Sequence, residues 1–285
     1  MIAKDRIAIL VGMPRAATTF LYHNLGLHPE IFIPYRRKTN YFSLHHNKGE
    51  DWFLSHFKNA PEKAIAIDTE TLAFINSGLN SPQVIKAFNG KTKIILCVRD
   101  PASYAVSLYH QIATFDKETP RFENFLAGTY TLQEDGIETS FHMNDGDIYA
   151  RVREYEQLFS NSLLLLNFRE VTAFPLESLR KIEAFLGISS FYNAANIITK
   201  KINSRGRRHN RWLNALLRNV HVITLVRVLV PRKAVLAIRW IFDGLLAEET
   251  PGFKIPVADE EEIKMLSLAR NHFRSDLEAL KDYFQ

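Results

Sequence analysis

The stretch that decides the fold reads Ile7-Ala8-Ile9-Leu10-Val11-Gly12-Met13-Pro14-Arg15-Ala16-Ala17-Thr18-Thr19. Its first five residues form a short apolar run that Gly12 closes, which is typical of a buried strand followed by a tight turn. From Thr18 to Leu27 the apolar residues recur at helical spacing, so the sequence predicts a strand, a loop and a helix. Such a loop presents backbone N–H groups at the positive end of a helix dipole and suits a phosphate.

The loop departs from the pattern of ATP-binding loops, Gly-x4-Gly-Lys-Ser/Thr. The chain keeps Gly12 and Thr19 but has Ala17 and Thr18 where the second glycine and the lysine belong, and its cation is Arg15. A kinase needs that lysine on the β- and γ-phosphates together with a magnesium ion, so the loop argues against ATP chemistry. A nucleotide kinase stays an alternative, as does a non-catalytic module that binds phosphonucleotides or polyanions.

The rest of the chain alternates apolar strands with amphipathic helices. We expect strands at residues 64–67, 93–98 and 163–166, and helices at 81–88, from 101 onward, at 147–159, at 176–186 and at 259–284. This order predicts an α/β fold with a P-loop-like, doubly wound and mainly parallel sheet flanked by helices. We expect a single domain over residues 1–285, with an insertion at about 114–146 and a basic helical segment at about 211–246.

A second candidate phosphate contact follows the strand at 93–98. Arg99 stands at the strand's carboxyl end, where open α/β sheets bind ligands, and Ser107 lies about two turns into the helix that Pro101 begins. Arg99 could fork onto a phosphate while Ser107 donates its hydroxyl. The alternative is that Arg99 pairs with Asp100 or another neighbour and that Ser107 is only a tolerated small residue.

The two motifs together resemble those of sulfotransferases that use 3′-phosphoadenosine 5′-phosphosulfate (PAPS). In that family a Pro-Lys-Ser-Gly-Thr-Thr type loop holds the 5′-phosphosulfate, and an Arg-Asp-Pro-x5-Ser-x-Tyr stretch holds the 3′-phosphate. Three further stretches are similar to family motifs in the same order: Lys38-Thr39-Asn40-Tyr41-Phe42, residues 163–186 and Ser204-Arg205-Gly206-Arg207. The likeness covers residues 6 to about 210 and is of bacterial type. It is closer to glycan- and heparan-modifying members than to cytosolic phenol and steroid enzymes.

This resemblance implies a sulfotransferase fold and a set of residues that contact PAPS or its desulfated product PAP. They are Pro14, Arg15, Ala16, Ala17, Thr18, Thr19, Phe20, Arg99, Ser107, Arg205, Gly206 and Arg207. It also implies that Arg15 and Lys38 stabilise the charge on the leaving 5′-phosphate, with no metal ion. Tyr104 replaces an arginine often found in the family, so the 3′-phosphate would depend more on the other cations.

The resemblance fails at the general base. Thr39 stands where the glycan-modifying members carry a glutamate after the lysine, and a threonine cannot act as a base. Asp68, which follows the strand at 64–67, is our first candidate, and Glu70 is the second. For Asp68 the alternative is a helix or turn cap. His23 is a weaker candidate, since a histidine on a helix is more often packed in the core or exposed.

The sequence says less about the acceptor and the binding partners than about the sulfuryl donor. A saccharide, a glycolipid or a small metabolite would supply the hydroxyl, and the aromatic residues of the insertion could contact it or form a lid on the core. These residues are Phe115, Phe122, Phe125, Tyr130 and Phe141. The net charge of +5 is interpreted as a solvated basic surface. We expect no nucleic-acid partner. The sequence does not indicate an oligomeric state.

The compartment is predicted from cysteine usage and the first residues. Cys97 is the single cysteine, which excludes an intrachain disulfide, and it lies in an apolar run typical of a core strand. The N-terminal apolar run is too short for a signal peptide or a membrane span, so we expect a reducing cytoplasmic compartment. Residues 211–246 are interpreted as helices that pack on the domain, with the aliphatic parts of their Lys and Arg side chains along the apolar surface. Peripheral contact with a membrane stays an alternative.

Overall fold

The computed structural model describes residues 2–36, 38–75, 79–115, 119–134, 136–198 and 260–284. Residues up to Ile197 and from 260 onward belong to one compact unit. Arg205, Gly206, Arg207 and the basic segment at 211–246 lie outside the described residues. The single-domain organisation therefore stays a prediction.

A five-stranded parallel sheet forms the centre of this unit. Its strands are β1 (Ile7–Leu10), β2 (Ile31–Phe32), β3 (Ile65–Thr69), β4 (Lys93–Val98) and β7 (Leu163–Asn167). The strand order is β2-β3-β1-β4-β7, and every neighbouring pair is parallel. β1 is buried along its whole length, in keeping with a parallel sheet covered on both faces. The predicted mainly parallel α/β sheet is confirmed.

Helices surround the sheet. They are α1 (Thr18–Leu25), α2 (Glu50–Ser55), α3 (Ser81–Phe88), α4 (Pro101–Phe115), α5 (Phe122–Ala127), α6 (Asp147–Phe159), α7 (Phe168–Ala173), α8 (Pro175–Leu186), α9 (Glu260–His272) and α10 (Arg274–Ala279). The bounds of α3, α6 and β4 are those that the sequence predicted. No helix in the described ranges is long and apolar enough to cross a bilayer.

Two differences between the predicted and the observed bounds concern the site and the end of the chain. The second strand runs two residues further than 64–67, because Asp68 and Thr69 continue the ladder opposite Ile9 and Leu10, so Asp68 lies within β3. The terminal helix predicted over 259–284 is two helices that break at the buried Phe273. The break occurs because Asp145 accepts hydrogen bonds from the N–H groups at the start of α10.

The insertion at 114–146 contains elements that the sequence analysis did not predict. α5 is followed by an antiparallel hairpin of β5 (Thr129–Glu134) and β6 (Ile137–His142), which turns at Gly136 with φ +78°. Phe122 and Phe125 are buried and pack against Tyr109 with ring centroids 5.0 and 5.4 Å apart. These two aromatic residues therefore pack on the core.

Two aspartates far apart in the chain, Asp145 and Asp276, each cap the helix that begins beside the other. The carboxylate of Asp276 accepts from the backbone N–H groups of Gly146 and Tyr149 at 3.0 and 2.6 Å, which caps α6. In return, Asp145 accepts from the N–H groups of Ser275 and Asp276, each at 2.9 Å. Each aspartate thus satisfies helix N-terminal donors that would otherwise lack a partner.

We expect Asp276→Ala to lower the free energy of unfolding by about 1–3 kcal/mol, because the buried N–H groups at the start of α6 would lose their acceptor. Asp282→Ala, at an exposed position, serves as the control and should change stability by less than about 0.5 kcal/mol. Urea denaturation measures both. Equal effects of the two substitutions would show that the cap does not stabilise this junction.

Candidate functional site

The carboxyl edge of the parallel sheet gathers most of the predicted site. The loop at 12–17 leaves β1, Asp68 and Thr69 end β3, Arg99 follows β4 and Phe168 follows β7. Because parallel strands end at the same edge, segments distant in the chain meet there. This is the edge at which open α/β sheets bind ligands.

The loop after β1 makes an unusually tight turn. Gly12, Arg15 and Ala17 all have positive φ, at +30°, +66° and +59°. A Cβ atom on Gly12 would lie 2.6 Å from the Thr18 Cγ2 atom, a distance that side chains do not tolerate. Only glycine therefore fits at position 12, and it allows the start of α1 to fold back against the end of β1.

The N-terminus of α1 has the character of an anion site. Its N-cap residue is Ala17, whose side chain makes no capping hydrogen bond. The first turn therefore lacks the Ser, Thr, Asp or Asn oxygen that usually accepts from its N–H groups. Ala16 and Thr18 are buried, and Pro14, Arg15, Ala17, Thr19 and Phe20 are partly exposed. An anion at this helix end would be favoured by the helix dipole.

The cations of the two predicted phosphate motifs lie together. Arg15 Nε donates to Ser107 Oγ at 3.2 Å, and Arg99 Nη1 donates to the Arg15 carbonyl at 2.7 Å. The Arg99 guanidinium also lies 4.5 Å from the centre of the Phe168 ring. Asp100 Oδ1 caps α4 by accepting from Ser103 N at 2.7 Å, and the pairing of Arg99 with Asp100 or another neighbour stays an alternative to a phosphate contact. The structure thus brings Arg15, Arg99 and Ser107 to one place.

Asp68 and Glu70 form a closed cluster with Thr39. The Thr39 hydroxyl lies 2.5 Å from Asp68 Oδ2 and 3.0 Å from Glu70 Oε1. Asp68 Oδ1 accepts from the N–H groups of Thr39 and Thr69, and Glu70 accepts from Phe42 N and the Ser43 hydroxyl. All three residues of this cluster are fully buried, with 0% exposure for Thr39, Asp68 and Glu70.

The hydrogen-bond inventory of this cluster requires a shared proton. The Thr39 hydroxyl has one proton and contacts both carboxyl groups, so it can donate to only one of them. Its oxygen must then accept at the other contact, which requires that carboxyl group to be protonated. One carboxylic acid and one carboxylate therefore satisfy all the contacts, as expected for two like charges buried side by side.

The pKa shifts agree with this proton count. Burial raises the pKa of Asp68 to about 7, against the opposing effect of the hydrogen bonds from Thr39 and Thr69. Burial, and next the charge of Asp68, raise the pKa of Glu70 well above its ordinary value. Both carboxyls therefore ionise at higher pH than exposed carboxyls do, as expected for a buried pair that shares one proton.

The other predicted residues are placed as follows. Lys38 is partly exposed and directly precedes Thr39. Its carbonyl oxygen accepts a hydrogen bond from Arg36 Nε at 2.8 Å. His23 is buried on α1 with its ring centre 5.2 Å from that of Tyr22. Within the described ranges there is no group of three His, Cys, Asp or Glu side chains that could hold a metal ion.

Sequence reasoning missed three parts of the site. Phe168 directly follows β7, and the rule that ligands bind at the carboxyl edge would have marked it. Thr39 was read as the loss of a base, whereas it is the group that joins two carboxyls. Ser43 gave no signal, because its bond to Glu70 spans 27 residues of sequence.

Comparison with models of protein families identifies the family of this chain. The model of the sulfotransferase domain family matches residues 5–222 of the 285-residue chain. The protein belongs to the sulfotransferase family. The family expected from the loop at 12–19 and the motif at 99–109 is therefore confirmed.

Individual sulfotransferases are similar over part of their length. Heparan sulfate glucosamine 3-O-sulfotransferase 3A1 of Mus musculus is 26% identical over 184 residues, which are 64% of this chain and 45% of the mouse protein. The membrane-associated sulfotransferase kil1 of Dictyostelium discoideum is 30% identical over 162 residues, or 55% and 34% of the two chains. The chain thus spans less than half the length of either relative.

A solved structure shares the fold. The crystal structure of a sulfotransferase from Alicyclobacillus acidocaldarius superimposes with a TM-score of 0.54 and 21% identity, over 70% of this chain and 87% of that one. This likeness confirms the sulfotransferase fold that the resemblance implied.

The proton shared by Asp68 and Glu70 should make stability depend on pH. Because both pKa values are raised on folding, the folded protein binds more protons than the unfolded chain between about pH 4 and pH 7. Stability is then greatest below the ordinary carboxyl pKa and falls as the pH rises through the raised values. We expect the melting temperature to fall from pH 5 to pH 8.

Asp68→Asn should flatten this decline, whatever its effect on the absolute melting temperature. Glu62→Gln, at an exposed position, is the matched control and should leave the slope unchanged. Differential scanning fluorimetry across this pH range measures both. A slope in Asp68→Asn equal to that of the unsubstituted protein would exclude the shared proton as its cause.

Proposed function

We propose that this sulfotransferase moves a sulfuryl group from PAPS to a hydroxyl of a saccharide, glycolipid or small metabolite and releases PAP. The observation that carries the proposal is the meeting of Arg15, Arg99 and Ser107 beside the N-terminus of α1. Two guanidinium groups and a helix N-terminus suit a donor that is anionic at both ends. The similarity to a heparan sulfate glucosamine 3-O-sulfotransferase supports a glycan-type acceptor.

In this mechanism the acceptor oxygen attacks the sulfur in line with the 5′-phosphate. A bond forms between the acceptor oxygen and sulfur, and the bond between sulfur and the bridging phosphate oxygen breaks. The electron pair leaves with that oxygen, so negative charge grows on the 5′-phosphate. Arg15, the N–H groups at the start of α1, the hydroxyls of Thr18 and Thr19, and Lys38 would stabilise this charge. The planar Arg15 guanidinium can fork onto phosphate oxygens, where a lysine would act as a point charge.

Asp68 is proposed as the general base that takes the acceptor's proton, which requires the fully buried cluster with Thr39 and Glu70 to open when the acceptor binds. A base works best when its pKa is near the working pH, and burial raises the pKa of Asp68 to about 7. Glu70 keeps its own proton and so prevents a second buried charge. The Thr39 hydroxyl joins the two carboxyls, and its hydrogen bonds lower the pKa of both against the effect of burial.

The compartment and the partners are also proposals. Cys97 is a buried free cysteine, which fits a reducing cytoplasmic compartment. The similarity to a membrane-associated relative supports peripheral membrane contact as an addition to this location. Roles for Arg205, Gly206 and Arg207 at the 3′-phosphate rest on the family resemblance alone.

Calorimetry with PAP and with ATP tests the donor. We expect PAP to bind without magnesium, and Arg15→Gln to weaken its binding about 10- to 100-fold through loss of charge-assisted hydrogen bonds. Arg180→Gln, which removes an exposed arginine on α8, is the matched control and should bind PAP normally. Transfer of labelled sulfate from PAPS to a glycan or metabolite panel tests the reaction. ATP binding that magnesium strengthens, with no PAP binding, would contradict the proposal.

Substitutions at Thr39 and Asp68 test the base. Asp68→Asn should abolish transfer while PAP still binds. Thr39→Val removes a hydrogen bond that lowers the pKa of Asp68, so the acid limb of the pH–rate profile, expected near pH 7, should move to higher pH. Thr39→Ser keeps the hydroxyl and should restore the original profile. Full activity of Asp68→Asn would remove Asp68 from this role.

A further inference from the structure

A cavity of about 240 Å³ lies between α4, α6, the end of β6 and the junction of α9 and α10. Its apolar walls include Phe74, Met143, Ile148 and Phe273, all of them buried. This volume is below the roughly 300–1,000 Å³ of pockets for drug-sized ligands, so the cavity suits a single ring.

One wall of the cavity carries a hydroxyl that the fold does not use. Tyr104 is 2% exposed and lines the cavity, and its Oη has no hydrogen-bond partner among the described residues. Another buried tyrosine, Tyr155, donates its hydroxyl to the Ala73 carbonyl at 3.1 Å. An unpaired buried hydroxyl is costly and would gain from a ligand that supplies a partner.

The rim of the cavity disfavours anions. Arg151 is the one cation with a permanent charge among the described lining residues, and its Nη1 is already paired with Glu154 Oε2 at 2.6 Å. Asp147, also on the rim, accepts from the Asn144 amide at 3.0 Å and adds a negative charge. A carboxylate or sulfate on the ligand would therefore meet acidic groups with no unpaired permanent cation among them.

The cavity adjoins the donor side of the site. Tyr104 precedes Ser107 by three residues on α4, so their side chains are neighbours on the helix, with Cβ atoms about 5–6 Å apart. Ser107 in turn contacts Arg15 of the loop. On the other side, Phe74 follows Glu70 by four residues at the exit of β3. Two lining residues of the cavity, Tyr104 and Phe74, are thus three and four positions along the chain from Ser107 and Glu70 of the proposed active site.

We propose that this cavity binds a neutral, hydroxyl-bearing ring of the acceptor, with Tyr104 Oη hydrogen-bonded to a polar atom on the ring. The inference rests on the proposed sulfotransferase function and narrows its substrate class. The ring held here is uncharged, even where other parts of the acceptor carry charge.

Binding of three small probes tests the chemistry of the cavity. Phenol has the ring and the hydroxyl, toluene lacks the hydroxyl, and 4-hydroxybenzoate adds a negative charge. One extra hydrogen bond should make phenol bind about 2- to 10-fold more tightly than toluene, and the charge should weaken 4-hydroxybenzoate relative to phenol. Ligand-detected NMR on the whole chain measures the affinities. Equal binding of phenol and toluene, or tighter binding of 4-hydroxybenzoate, would overturn the proposal.

Two substitutions locate the binding. Tyr104→Phe should remove the preference for phenol over toluene, and Ala150→Trp, at an exposed position on the cavity lining, should block both probes. Neither substitution should change PAP binding. Phenol binding that survives Ala150→Trp would place the probe elsewhere and overturn the assignment.

Thermal denaturation separates a ligand role of Tyr104 from a structural one. Tyr155→Phe removes a used hydroxyl and should lower the melting temperature, whereas Tyr104→Phe removes an unused one and should not. A comparable loss in both variants would show that the Tyr104 hydroxyl already has a partner in the fold, against the proposal.

Sulfate transfer distinguishes failure of the subsite from failure of the proposed function. In the presence of labelled PAPS, phenol should either accept the label or slow transfer to a better acceptor, and Ala150→Trp should abolish this effect. Transfer to other acceptors that phenol does not affect would overturn the subsite and leave the function intact. Absence of both PAP binding and transfer would overturn the function, while phenol binding could still be measured without PAPS.

Discussion

The site depends on one steric constraint, the close approach of the chain at Gly12 to the first turn of α1. No side chain fits between position 12 and Thr18, and the loop passes through left-handed backbone conformations at Gly12, Arg15 and Ala17. This turn brings the N–H groups of α1 back over the end of β1. It also positions Arg15 to contact α4, where Ser107 lies. The proposed anion site would therefore be a consequence of backbone geometry first and of side-chain charge second.

The sequence predicted those elements whose signals are local. β4, α3 and α6 have the predicted bounds because each is a periodic run between clear start and stop residues. The hairpin of β5 and β6 was missed although Asp135-Gly136, a turn pair, stands between two runs rich in β-branched residues. The insertion's aromatic residues were weighed instead, and two of them pack on the core. The break at Phe273 could not be predicted, since it depends on Asp145, far away in the chain.

For the candidate site, the sequence likewise predicted individual residues but not the contacts between them. Arg15, Arg99 and Ser107 were predicted from motif and strand position, but the contact between Arg15 and Ser107 spans 92 residues and only the fold reveals it. Asp68 and Glu70 were predicted as alternative bases, yet the structure makes them two halves of one titrating pair joined by Thr39. Thr39, which replaces the expected base in the linear motif, thus joins two carboxyl groups by hydrogen bonds in the folded protein. The relation between these residues, more than their identities, was beyond the reach of sequence reasoning.

Asp145 and Asp276 join segments that are 131 residues apart in the sequence, because each carboxylate accepts from the N–H groups that begin the other's helix. If the two segments separate, both helix starts lose their acceptors together. We therefore expect the N-terminal turns of α6 and α10 to lose protection from hydrogen exchange in a single step, as parts of one cooperative unit.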